Sequence, residues 1–490
     1  MAETTSSTSE YLQSLSSIRE RCGLLASHGE SLEHFTLNTD KIDGVVEYVI
    51  ALMSRDYGSV DEIPPHSRWR HFDAGGVKRV DGLIATWRAE GVGIVEVVTR
   101  LLDLFVVGVL LDAGAGAEWK LKVESEGTTY TRSEGLALAS LGWFQAGGFS
   151  GSRGQSGGQS RVDAEGLLNV TSSQLETYFQ VTSQNPLVGV KGRTGLLNRL
   201  GTVLQTHPRF FEFKGSLRPG NIIHFLVPGL ADSTRDPVDA HNLPVHAVPI
   251  DKLWEVVVTG FSGVWPPTRS SYDSKSLGDV WPCRALASIH SNLRTTANTS
   301  ANASKTLLAL DPAADALLPF HKLSQWLTYS LMEPLALLNI IFPDASKMTG
   351  LAEYRNGGLF IDMSVITLKS PAAVANGVNV YDDLVVEWRG LTVALLDIVA
   401  ERVRKQLGLT EAQLPLAKVL EAGMCPLFHS LFCFGPLIFS LIMICFTFNL
   451  CMEHLHYISV PHQCLSFWVE APYFHTPLSI SHRFQRLLFS

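Results

Sequence analysis

Cysteine is scarce in this chain: seven among 490 residues, with only Cys22 and Cys283 before position 425 and no Cys-x-x-Cys pair anywhere. That spacing supports neither a zinc knuckle nor a thioredoxin-type redox centre. Positive charge is also short. Lys and Arg total 39 against 47 Asp and Glu, for a net charge of −8. No basic stripe interleaved with aromatics occurs, so nucleic acid is not an expected partner. The chain has no Gly-x-Ser-x-Gly elbow, Walker loop or His-Glu-x-x-His helix, and the commonest serine-hydrolase, nucleotide-triphosphatase and zinc-protease signatures are therefore missing. No internal repeat is found. The opening Met1-Ala-Glu-Thr-Thr lacks the basic and apolar regions of a secretory leader, and a cytoplasmic location is expected.

What is present reads as helix. Hydrophobic residues make up 46% of the chain and charged residues 18%, enough to bury a large core. Apolar residues recur at helical spacing over 165–181, 194–206, 253–261 and 384–407, after amphipathic stretches from Glu10 and over 41–54. The apolar run 94–111 contains Glu96, Arg100 and Asp103, which favours a buried core helix over a membrane span. Alternation of the β type is rare, the best case being 359–368 after an Asn356-Gly357 turn. The expected fold is mainly α: one large helical domain with a few short strands or hairpins, plus an atypical apolar C-terminal segment. Its expected bounds are a polar segment 1–30, a core 31–423 with flexible loops near 145–160 and 288–305, and a tail 424–490.

The tail differs in kind. After Gly423 the only charged residues are Glu453, Glu470, Arg483 and Arg486, while Cys425, Cys433, Cys445, Cys451 and Cys464 crowd together. The uncharged stretch 431–452 is long enough to span a bilayer, but it contains Pro436 and has no flanking Lys or Arg. Gly423-Met424-Cys425 can be encoded so as to contain a common fungal intron start, and a Phe/Leu/Cys/His-rich run is what T-rich non-coding sequence yields. The tail is therefore read as a retained intron or gene-model error, and a membrane is expected as a partner only if 431–452 is real.

Several clusters can carry chemistry. At about 100° per residue, Phe320, Leu323, Leu327 and Leu331 form one side of a helix, and Lys322, Gln325, Trp326, Tyr329 and Glu333 form the other. A face of one cation, one amide, two aromatics and one carboxylate suits a pocket wall, or equally a partly buried face packed on a neighbour. Arg68-Trp69-Arg70-His71-Phe72 sets guanidiniums and an imidazole among aromatics, and Arg is the natural fork for carboxylate or phosphate. Arg132, Ser133 and Glu134 mark a helix start that Ser133 can cap, with free N–H groups for an anion. Glu353-Tyr354-Arg355-Asn356-Gly357-Gly358 and Asp362 place carboxylates, an Arg and an amide around a tight turn. Asp279 beside Trp281, Arg218-Pro219-Gly220, and Glu387-Trp388-Arg389 repeat the theme. Asp112-Ala-Gly-Ala-Gly116 follows a helix, where a dinucleotide loop needs a strand.

The blocks SRWRHFDAGG, LLDAGAGAEWK, TRSEGLALASL, FQVTSQNPLVGVKGR, LPFHKLSQWLTYSLMEPL, MTGLAEYRNGGLFID and VVEWRGLTVALLD resemble those of the uracil catabolism protein four family over residues 67–423. The resemblance implies a role in a pyrimidine degradation route without reductive dihydrouracil chemistry, in which a ribosylated urea is broken down. It carries over no catalytic residues. The expected reaction is hydrolysis of a C–N bond in a uracil-derived ribosyl or ureido intermediate, a small-molecule substrate. The alternative is a non-catalytic protein that binds or channels such an intermediate. Hydrolysis needs a carboxylate to orient water and an acid at the leaving nitrogen. Glu353 or Asp362 is the expected carboxylate, with Glu134 in reserve, and His321 the acid. Arg70, Arg132 and Arg355 would hold phosphate or the urea carbonyl, and Trp326 and Tyr329 would stack on the planar group. His71, Lys322, Gln325 and Asn356 complete the binding set. No cofactor or metal is expected, and a homo-oligomer is left open.

Overall fold

The helix Ile94–Leu110 is apolar almost all the way round, and fourteen of its residues from Val95 to Leu110 are buried. A helix without a polar face has to sit inside other helices, and the rest of the domain is wrapped around it. In the computed structural model, residues 7–112, 114–152, 160–230, 244–265, 270–297, 311–374 and 378–424 are described. Against the central helix pack Lys322–Ala336, Arg132–Gln145, Val190–Thr206 and the short Arg68–Phe72. Gly108 permits the last of these contacts, because a Cβ there would lie 2.6 Å from the Phe72 ring. A second layer is built by the long helix Asp383–Leu407, which packs on Leu15–Ser27, Ile42–Asp56 and Tyr354–Asp362.

The architecture is mainly α. Strands occur only as two-stranded pairs among the described residues. Phe35–Leu37 pairs antiparallel with Ile366–Leu368, and Leu317–Pro319 with Val280–Pro282. No helix among the described residues is long and apolar enough to cross a membrane. The 431–452 stretch and nearly all of the tail lie outside the described residues.

Several local expectations are corrected. Within the segment read as polar, residues 15–27 are helical, and Leu15, Ile18, Cys22 and Leu25 are buried in the main core. Residues 165–181 form two helices, Ala164–Leu168 and Ser172–Tyr178, the second with a Thr171/Gln174 capping box. The stretch from Ser288 continues as helix Arg284–Ala297, while 298–305 lies outside the described residues, as does 153–159. Ser133 sits inside the first turn of Arg132–Gln145, whose cap position is Thr131. Finally, 354–362 is helical and only Ile366–Leu368 is strand. The Gly357-Gly358 pair serves packing there: a Cβ on Gly357 would meet the Trp388 indole at 2.6 Å.

Three of the polar motifs turn out to brace the core. Asp279 takes a bidentate pair from buried Arg389 at 3.0 and 2.8 Å, and also accepts the Trp281 indole N–H and the Lys322 backbone N–H. Arg218 donates to Asp103 inside the central helix at 2.7 Å, which explains the charge in that apolar run. Glu387 accepts the backbone N–H groups of Glu33, His34 and Phe35. Breaking one partner of a buried pair leaves an uncompensated charge. Asp279→Ala is therefore expected to lower the unfolding free energy by about 3–5 kcal/mol, read from the urea midpoint, and pairing it with Arg389→Met should recover part of the loss.

Candidate functional site

The first turn of Arg68–Phe72 is stapled to the far end of Lys322–Ala336. Ser67 caps its own helix by accepting the Trp69 N–H at 3.2 Å, and its hydroxyl donates to the Glu333 carboxylate. Arg70 pairs with the other Glu333 oxygen, and the Arg68 backbone N–H donates to Ser330 Oγ at 3.0 Å. Between the two helices Trp326 lies against two imidazoles. The His66 ring is 4.6 Å away, tilted 40°, and the His71 ring is 5.7 Å away, edge-on. The indole Nε1 is buried and has no hydrogen-bond partner among the described residues. His66 is tied from behind by a 2.7 Å bond between its Nδ1 and Glu421.

Glu353 faces the same cluster. It occupies the cap position of Tyr354–Asp362, yet its carboxylate makes no capping bond there. No hydrogen bond or ion pair to that carboxylate is formed among the described residues. Burial alone would push its pKa up; Lys322, Arg355 and His66 more than offset this and hold the carboxyl below its ordinary range. His71 is driven the other way. Burial, then Arg68, His66, Arg355 and Arg70, put it well below the usual imidazole value, so it is neutral near pH 7. Arg68 Nη1 stands 3.4 Å from His71 Nδ1 and 2.8 Å from Asp112. Its Nε and Nη2 have no hydrogen-bond partner among the described residues although the side chain is fully buried.

Arg132 completes the cluster from a third element. It begins its helix at φ +52°, a left-handed conformation that few non-glycine residues adopt and that recurs at functional sites. Burial lowers its pKa, and Arg355 lowers it further, while Tyr354 and Glu134 act in the opposite sense. The arrangement has the parts of a ligand site: an ionised carboxylate, two imidazoles, an indole face and several guanidiniums.

Residues 11–425 match a family described as a protein of unknown function, DUF1688. The chain is 36% identical over 437 residues to "Uracil catabolism protein 4" of Lachancea kluyveri, covering 84% of this chain and 91% of that protein. It is 37% identical over 420 residues to "Protein urg3" of Schizosaccharomyces pombe, covering 84% of this chain and 90% of the other. The chain belongs to this family. The family match encloses every residue of the cluster, including Glu421 near its end.

The structure brings Glu353, Glu134, Arg70, His71, Arg132, Lys322, Trp326 and Arg355 into one neighbourhood, and it separates the rest. The polar groups of Gln325 and Tyr329 are engaged by Thr349. The Gln325 amide exchanges bonds with Thr349, and the Tyr329 hydroxyl donates to the Thr349 carbonyl at 3.0 Å. Buried Asn356 donates to the Leu351 carbonyl. His321, at φ +45°, is buried with its Nε2 2.9 Å from the Leu12 carbonyl; the imidazole that Glu353 feels is His66. Asp362 ends the helix that Glu353 begins, about 13 Å along the axis at 1.5 Å per residue and on the opposite face. The helix Lys322–Ala336 is accordingly buried on both expected faces, with Leu323 less covered than Trp326. His66, Asp112 and Glu421 join the site and were not among the candidates, whereas Arg68 and Glu333 already stood in two of the polar clusters. The acid–imidazole group Glu33, His34 and Asp383 is already bridged by Arg284, so its charge is matched.

Burial alone raises the Asp362 carboxyl to about 6. Its folded value lies above the unfolded 3.8, so the stability it contributes is full at low pH and is lost as pH rises through 6. Asp362→Asn removes that loss. The variant should melt higher than the parent at pH 7.5, by roughly 1–3 °C, and the difference should vanish near pH 4 in paired thermal melts.

Proposed function

We propose that this protein acts in uracil catabolism as a hydrolase of a C–N bond in a ribosylated urea-type intermediate. The name of the Lachancea kluyveri relative supports the pathway. The chemistry rests on one observation: Glu353, a half-buried residue whose carboxylate is held ionised by Lys322, Arg355 and His66 and, among the described residues, forms no hydrogen bond or ion pair. A carboxylate kept charged and unengaged inside a protein is arranged to meet something else. Opposite an anomeric carbon it can orient water and stabilise oxocarbenium-like charge. The Trp326 face offers a surface for a flat ureido group, and Arg68, Arg132 and Arg355 supply donors for its oxygens or for a phosphate.

Purified protein should release urea from ribosylurea or its 5′-phosphate. Glu353→Gln should lower kcat by about 100-fold or more with a smaller change in KM, and Arg355→Gln should mainly raise KM. Because Glu353 titrates below its usual 4.5, the acid limb of kcat/KM should fall below that pH. Tight binding without turnover in the unmodified protein would reject the hydrolase and favour the binding or channelling alternative.

A further inference from the structure

A recess of about 80 Å³ opens at the start of the helix Lys322–Ala336, more room than a single water needs. Gln13 and Ser276 line it, joined by a 3.3 Å bond from the Gln13 amide to the Ser276 carbonyl. Val258, Trp265 and Leu277 give it apolar walls. Val258 belongs to a π-helical turn, Val256–Gly260, a form that recurs at functional sites.

The first three residues of the helix, Lys322, Leu323 and Ser324, all line the recess. The cap residue His321 makes no side-chain capping bond. Asp279 accepts the Lys322 N–H at 3.0 Å, but the N–H groups of Leu323 and Ser324 have no acceptor among the described residues. Two adjacent donors at the positive end of a helix of 15 residues favour an anion. Ser324 points the same way independently. It is 8% exposed and lines the recess, yet its hydroxyl forms no hydrogen bond among the described residues. A buried hydroxyl normally finds a partner, and others on this helix do: Thr328 donates to the Ser324 carbonyl at 2.9 Å, and Ser330 accepts the Arg68 N–H.

Lys322 supplies the charge. Its ammonium forms no hydrogen bond or ion pair among the described residues, whereas the carboxylate of Asp279 beside it is already matched by Arg389 at 3.0 and 2.8 Å. Lys322 also lies within electrostatic reach of Glu353, so the recess and the Glu353 cluster share a cation.

We propose that this recess binds a small carboxylate, held by the Leu323 and Ser324 N–H groups, the Ser324 hydroxyl and the Lys322 ammonium, with an apolar body against Trp265, Val258 and Leu277. The ligand class follows from the lining: four donors, one of them charged, beside walls that a bare inorganic ion would leave uncovered. Urea and ribose carry no charge and do not match it. The site is separate from the hydrolase reading of Glu353.

The test is titration calorimetry on the full-length protein with benzoate and with benzamide, its neutral counterpart of similar shape. Benzoate should bind once per chain with a Kd at or below about 1 mM, and benzamide about 10-fold or more weakly. Lys322→Met should weaken benzoate by about 10-fold or more, and Ser324→Ala by about 3-fold or more. The Ser324 variant loses no side-chain bond within the described residues and should melt as the parent does. Trp265→Ala should bring benzoate down to the affinity of acetate. No binding of benzoate at about 10 mM, equal binding of benzamide, or unchanged affinity in folded Ser324→Ala would overturn the site. Tighter binding of inorganic phosphate than of benzoate would overturn the carboxylate assignment. Turnover of ribosylurea is a separate readout, so either reading can fail without the other.

Discussion

The candidate site depends on the joint between Arg68–Phe72 and Lys322–Ala336. A five-residue helix has no stability of its own; it exists because Ser67, Arg68 and Arg70 are held by Ser330 and Glu333. That joint sets both His66 and His71 against Trp326. It also fixes Arg68 against the central helix, where Gly108 leaves room for Phe72. Burial raises the Glu333 carboxyl, and Arg70 and Ser67 pull it back. The site is thus supported by a polar contact that is itself costly to bury, a common arrangement where function rather than stability selects the residues.

The electrostatics of the cluster follow from that framework. Arg68 is matched by Asp112, Arg70 by Glu333 and His66 by Glu421. Among the described residues, the carboxylate of Glu353 has favourable fields but no hydrogen bond or ion pair. In a low-dielectric setting, fixed charges of this type act on a bound ligand far more strongly than they would in water. The flat, polar ligand of the proposed function would meet such surroundings.

Much of the fold was legible because it is periodic. The helix 384–407 and the apolar run 94–111 carry long patterns, and the charges in the latter pointed to burial; Arg218 is the residue that explains Asp103. Shorter elements misled where glycine was read as a turn former and in fact allows Trp388 to approach. In the site, Glu353, Arg132, Arg355 and Trp326 stood out by residue type. Gln325 and Tyr329 share the helical face of Trp326, but Thr349 comes from a distant loop to engage them, and nothing local announces it. Glu421 gave no signal for the same reason, since its partner His66 is 355 positions away.

The most direct measurement is a crystal structure of the protein soaked with urea and ribose, the proposed products. The account predicts density for both beside Trp326 and Glu353. Ligand bound instead in the recess lined by Gln13, Ser276, Asp279 and His321, with the Glu353 neighbourhood empty, would contradict it.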